Sequence, residues 1–248
     1  MKKHNLALCL VFLLFLCSCS AGTGKDPSVN SPSGLYQIDT TYLAEDCAER
    51  TIRISCPVLC ASEVDAANDT IRACLQEKVG AICGVSDCAL EETSTPPEPI
   101  DNEESPISLS LEYRITYQRE DLLSIVFEGL YNDRTAAHPI HLFFALNIEP
   151  QSGETVAFSD RYAIDDVLYD TFVAYAERDI TENAGGTRPE GWGTFSDTIC
   201  DKDSFLNGMR TSLGFSVFFT EEGVGISYPV PYALGDHMEV IIPYDVLT

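Results

Sequence analysis

From Ile107 to Tyr117 every second residue is apolar: Ile107, Leu109, Leu111, Tyr113, Ile115 and Tyr117 alternate with Ser, Glu, Arg and Thr. Successive side chains of a strand point to opposite faces, so this period of two predicts a long strand with one buried face. Leu123, Ile125, Phe127 and Leu130 follow, and Ile140, Leu142, Phe144, Leu146 and Ile148 repeat the pattern before the turn residues Gln151-Ser152-Gly153-Glu154. Three long antiparallel strands are the simplest reading. Shorter alternations at Tyr36 to Tyr42 and Thr51 to Ser55 predict two more. Near the C-terminus Leu213, Phe215, Val217 and Phe219 alternate, Glu221-Glu222-Gly223 turns the chain, and Val224, Ile226 and Tyr228 return. Met238, Val240, Ile242 and Tyr244 make a last strand.

The period changes twice. Between Ser62 and Val79, the residues Val64, Ala67, Ile71, Leu75 and Val79 share one helical face. Ser62 with Glu63 suits a helix start and Gly80 a stop. From Tyr162 to Asp179 a second stripe holds Ile164, Val167, Leu168, Phe172 and Tyr175, opposite Asp165, Asp166, Asp170 and Glu177. A helix with one apolar stripe covers a sheet. The expected fold class is therefore α+β: a mainly antiparallel sheet packed against two principal helices, in two closely joined subdomains over 35–160 and 161–248. No repeat at a solenoid period is present. Residues 91–106, acidic and proline-rich, read as a mobile insertion. Residues 181–200 contain Gly185-Gly186, Pro189 and Gly191-Trp192-Gly193, a glycine-rich loop with the only tryptophan.

The N-terminus follows a different logic. Lys2 and Lys3 precede an uncharged apolar run from Leu6 to Leu16, too short for the ~20 residues that span a bilayer. The run ends in Leu16-Cys17-Ser18-Cys19, which looks like a bacterial lipobox. Residues 1–18 are then a signal peptide and Cys19 the lipidated first residue of the mature chain. Residues 19–34, rich in Ser, Gly, Pro and Asn, form a flexible tether. Each buried methylene of an acyl chain contributes about 0.8 kcal/mol, so two or more chains hold a domain at a membrane surface. The expected location is the bacterial cell envelope, with Ser20 after Cys19 pointing to the outer membrane of a Gram-negative cell.

Charge narrows the partners. Asp and Glu total 39 against 15 Lys and Arg, a formal net charge of −24, and two of those lysines leave with the signal. Such a surface repels nucleic acid and attracts basic proteins or cations. Beyond Cys19 the cysteines are Cys47, Cys56, Cys60, Cys74, Cys83, Cys88 and Cys200. The spacings of Cys56 to Cys60 and Cys83 to Cys88 are near those of zinc sites, but no histidine lies in this region. Export favours disulfides among Cys47, Cys56, Cys60, Cys74, Cys83 and Cys88, in an unreadable pairing, with Cys200 left over.

The final stretch contains Phe218-Phe219-Thr220-Glu221-Glu222-Gly223-Val224-Gly225-Ile226, then Tyr228-Pro229-Val230-Pro231-Tyr232-Ala233-Leu234-Gly235, then Val240-Ile241-Ile242-Pro243-Tyr244. It resembles the C-terminal ectodomain of the anti-sigma factor RsiV. Upstream, Cys56-Pro57-Val58-Leu59, the helix bearing Asn68, Ser124 to Gly129 and Ala137-His138-Pro139 resemble the companion domain that also precedes the catalytic domain of PdaC-type peptidoglycan deacetylases. The likeness runs over roughly 36–248. Neither a sigma-binding segment nor a deacetylase domain is found in this sequence, and the insertion from Ala81 to Pro106 and the cysteine cluster depart from the pattern. The resemblance implies an α+β envelope domain, of a kind that binds lysozyme in one branch.

Candidate chemistry is sparse. His138-Pro139-Ile140-His141 has the short spacing of a metal pair, yet residues three apart on a strand face opposite ways. The resemblance implies instead that His138 orders the start of a strand. His237 follows a glycine turn and reads as solvent-exposed. No Gly-x-Ser-x-Gly elbow, His-Glu-x-x-His helix or phosphate-cradling loop is present, and no motif requires a cofactor. Trp192, in its glycine-rich loop, is the first candidate for ligand contact, and Tyr232 the second. The leading expectation is a non-catalytic lipoprotein that binds or senses an extracellular partner, with a basic muramidase such as lysozyme as the sharpest candidate. A peptidoglycan or carbohydrate-binding module is the alternative, and a metal-dependent enzyme using His138 the third.

Overall fold

A computed structural model describes residues 36–85, 88–100, 105–183, 200–211 and 214–247. Its main sheet has six strands in the order β3-β1-β2-β4-β5-β6. Strand β1 (Gln37–Asp46) pairs antiparallel with β2 (Arg50–Cys60), and β2 runs parallel to β4 (Ile107–Gln118). Parallel neighbours need a crossover rather than a tight turn. Helix α1 (Asp65–Cys83) supplies it and buries Ala67, Ile71, Leu75, Val79 and Cys83 against the sheet. The stripe matches the sequence expectation, but the helix does not stop at Gly80. It ends at Gly84, whose φ of 66° is left-handed. Gly80 has a different role: the Val85 N–H donates to its carbonyl at 2.9 Å, and a Cβ at Gly80 would lie 2.9 Å from Val85 O. The glycine admits the returning chain rather than ending the helix.

Strand β3 (Glu91–Thr93) pairs with the outer edge of β1, within the segment whose composition predicts a mobile loop. Strands β4, β5 (Leu123–Asp133) and β6 (Ile140–Ile148) are antiparallel, as the alternation predicts. Their inward residues, including Leu109, Leu111, Ile125, Phe127 and Phe144, share one apolar cluster with α1.

The start of β5 is buried on both faces, because a second sheet lies over it. That sheet is antiparallel, in the order β7 (Ser216–Phe219), β8 (Gly223–Pro229), β9 (His237–Pro243). A buried polar seam joins the two sheets. Ser124 Oγ donates to Asn147 Oδ1 at 2.7 Å and accepts the Phe219 N–H at 2.9 Å, and Asn147 Nδ2 donates to Val217 O at 2.8 Å.

Helices α2 (Asp166–Asn183) and α3 (Lys202–Thr211) cover the second sheet. Phe172 is the centre, stacked on Phe205 and edge-on to Tyr228. The buried stripe of α2 runs through Leu168, Tyr169, Phe172, Ala176 and Ile180, so Val167 is 59% exposed rather than part of it. Helix α3 lacks a long apolar period and holds Gly208, and it escapes a pattern reading for that reason. Asp201 starts it by accepting the Ser204 N–H at 3.0 Å. The fold is α+β and mostly sheet, with three helices among the described residues.

No disulfide joins the described cysteines, so the bonds expected among Cys47, Cys56, Cys60, Cys74, Cys83 and Cys88 are not formed in this structure. Cys56, Cys83 and Cys88 instead behave as small apolar side chains of the first core. Burial pushes the Cys56 thiol up to about 12 and the Cys83 thiol up to about 11. No described helix is long and apolar enough to cross a membrane. Cys19, the signal peptide, the tether, Trp192 and most of its glycine-rich loop lie outside the described residues.

Candidate functional site: the open face of the main sheet

The same alternation that buries one face of β4, β5 and β6 lines the other with polar residues. Register places Ser110, Leu130 and His141 abreast across the three strands, and Glu112, Glu128 and Phe143 abreast beside them. Opposed residues on one face have Cβ atoms about 5 Å apart, so these side chains form continuous rows. Helix α1 covers the opposite face.

At one end the face passes beneath the proline-rich segment. A cavity of about 420 Å³ lies there, lined by Tyr42, Ser55, Ser110, Glu112, Leu130 and the residues from Pro96 to Ile100. Arg53 holds the segment down. Its Nη2 donates to both carboxylate oxygens of Asp46, at 2.8 and 2.9 Å, and its Nε donates to Glu98 O at 3.1 Å.

At the other end stands the turn between β8 and β9. Tyr232–Leu234 is a single 3-10 turn, followed by Gly235 at φ 98° and Asp236 at φ 68°. Glycine and aspartate are residues that reach this left-handed region, and the Val230 N–H donates to Asp236 O at 3.0 Å to close the turn. Pro231 to Gly235 is therefore a closed turn. Asp236 Oδ2 accepts the His141 backbone N–H at 2.8 Å, which ties the turn to the edge strand β6. The His138 ring stacks on Tyr232, with centroids 3.5 Å apart and planes 16° off parallel. Tyr232 remains 47% exposed.

His237 is half-buried in β9 rather than solvent-exposed. Its ring lies 4.8 Å from that of Phe143, and its buried Nδ1 has no hydrogen-bond partner. Burial lowers its pKa below the usual histidine value, against the opposing pull of Glu239, Glu128 and Asp236. Arg114 lies beside it, donating to Glu128 Oε1 at 2.7 Å and Glu239 Oε2 at 2.6 Å, with its guanidinium over the rings of Phe143 and Phe218.

The fold thus brings Tyr232 together with His138, His141 and His237, which the sequence scatters over a hundred positions. The His138 ring packs on Tyr232 and the His237 ring near Phe143, while His141 holds the turn through its backbone N–H. His138 Nδ1 meets Pro139 O at 3.0 Å, not a nucleophile. Among the described residues no group of three His, Cys, Asp or Glu side chains is arranged to hold a metal ion. Sequence reasoning overlooked the outer-face acids Glu112 and Glu128, although they are the polar half of the alternation that defined the strands.

No known family profile matches the chain, and no curated protein matches it. Solved structures do. A DUF3298 family protein from Pseudomonas aeruginosa PAO1 superposes with a TM-score of 0.55 at 14% identity, covering 87% of this chain and 95% of that one. A DUF3298 family member from Bacteroides fragilis NCTC 9343 gives a TM-score of 0.50 at 14% identity, covering 87% of this chain and 94% of that one. At that identity the likeness shows a shared fold.

Proposed function

We propose that the chain is an exported, non-catalytic binding domain of the bacterial envelope, anchored through acyl chains on Cys19, that captures a cationic protein partner. The partner offered by the RsiV resemblance is a muramidase of the lysozyme type. The observation that carries this reading is charge. Acidic residues outnumber basic ones by 39 to 15, and among the described residues most cations are held in ion pairs. Arg53 is held by Asp46, Arg114 by Glu128 and Glu239, Arg119 by Glu221 and Lys202 by Asp166. The excess carboxylates therefore face solvent uncompensated, as on Glu112, and set up a field that speeds encounter with a basic protein. His138 supports a binding role over a catalytic one, because its ring is stacked on Tyr232.

Size-exclusion chromatography of the full chain in detergent with lysozyme, at physiological salt, tests the partner. Co-elution as a stable complex is expected, and separate elution contradicts the reading. Cys19→Ser tests the anchor independently: the variant is expected to leave the membrane fraction, and retention there would refute acylation at Cys19.

A further inference from the structure

We infer that the cavity beneath residues 96–100 is a binding site for a short glycan segment, neutral or amino-substituted. The inference does not rest on the protein-partner reading, and each can fail alone. At about 420 Å³ the cavity is of the size that holds small ligands, roughly 300–1,000 Å³. Its floor is the outer face of the sheet, where Tyr42 stands abreast of Ser55 on β1 and β2, and Ser110 lies beside Arg53 on the parallel pair. The ladder between β2 and β4 engages the backbone from Arg50 to Ile54 and from Ile107 to Leu111. Recognition falls to side-chain hydroxyls that both donate and accept, the complement of a polyol.

Glu112 supplies directionality. Its exposed carboxylate lines the cavity and forms no ion pair among the described residues, because its cross-strand neighbour Glu128 takes Arg114. Two carboxylate oxygens can accept from two adjacent hydroxyls of a sugar, and charge-assisted bonds of this kind are the stronger ones. The opposite wall is apolar, made by Pro96, Pro97, Pro99 and Ile100, a surface suited to the C–H face of a pyranose ring. Charge selects among glycans. The lining guanidinium, Arg53, is spent on Asp46 and on the Glu98 carbonyl, while Glu98 and Glu112 sit at the rim. An anionic sugar meets repulsion without a free cation, and a neutral or protonated amino sugar does not.

The test is calorimetry of the full chain in detergent, without any protein partner. The probes are the β-1,4 tetramer of N-acetylglucosamine, its de-N-acetylated cationic form, a tetragalacturonate and an alanine-rich peptide of similar size. Both glucosamine tetramers are expected to bind and the galacturonate not to bind. Glu112→Gln and Tyr42→Ala are each expected to weaken binding tenfold or more while thermal unfolding stays cooperative. Absence of heat with both tetramers, unchanged affinity in both cavity variants, or preference for the peptide or the galacturonate would overturn the proposal.

Discussion

His237 carries a buried ring nitrogen without a partner, and protonation would place a charge there. Burial keeps its folded pKa below the ordinary 6.5, so the unfolded chain takes up the proton first as pH falls. The stability tied to the neutral ring is whole above that value and is lost as pH drops below it. The groups facing the ring divide: Glu239, Glu128 and Asp236 favour the charged form and His141 opposes it. Thermal melts from about pH 7 to about pH 5 are expected to fall more steeply for the wild type than for His237→Gln, which does not titrate. Parallel slopes would assign the acid sensitivity elsewhere. Gly129 shows a second residue-scale constraint. A Cβ there would lie 1.8 Å from the Ser110 carbonyl oxygen, so β4 and β5 would have to part at the cavity floor. Gly129→Ala is expected to lose at least about 2 kcal/mol in urea unfolding; an unchanged midpoint would mean that the strands are further apart. The thiols give a third test. Cys47 and Cys60 are exposed, although desolvation and the bond to Asp39 raise the Cys60 thiol, whereas Cys56 and Cys83 are buried and raised by burial. Alkylation of the native protein at neutral pH is expected to label the first pair and to reach the second only on unfolding. Protection of Cys47 and Cys60 that reductant removes would restore the disulfides the sequence leads one to expect.

At the scale of elements, the second apolar cluster depends on α2. Phe172 is fully buried and touches the rings of Phe205, Phe215 and Tyr228, which come from α3, the segment before β7, and β8. Phe172→Ala is expected to destabilise by about 3–5 kcal/mol, read by denaturant unfolding. A smaller loss would mean that α2 is not what ties α3 to the sheet. The long strands were legible because a period of two over ten residues has few alternatives. The stripe of α1 was legible for the same reason. Its end was not, because Gly80 serves a close approach of Val85 rather than a stop, and spacing cannot distinguish the two. Helix α3 was hidden by its shortness and by Gly208, although Asp201 followed by Ser204 was a readable start. Strand β3 takes its structure from pairing with β1, a tertiary effect absent from its own composition. The candidate site was legible only in parts. The turn over Tyr232 to Gly235 could be read locally, but the meeting of His138 with Tyr232 and of His141 with Asp236 arises from β9 returning beside β6.

On the scale of the whole molecule, charge and the open sheet face act together. The main sheet spends one face on α1 and part of the other on the second sheet, and leaves Glu112, Leu130 and His141 on the remainder. A net charge of −24 acts over about 8 Å at physiological salt, so attraction alone would fade as salt rises, whereas a fitted contact would persist. The affinity of the full chain for lysozyme, measured by calorimetry across a salt series, separates these cases. The proposed function requires saturable binding of defined stoichiometry that weakens with salt yet survives at physiological strength. Binding only at low salt, or none, would contradict it and leave the acidity as a means of keeping the chain soluble.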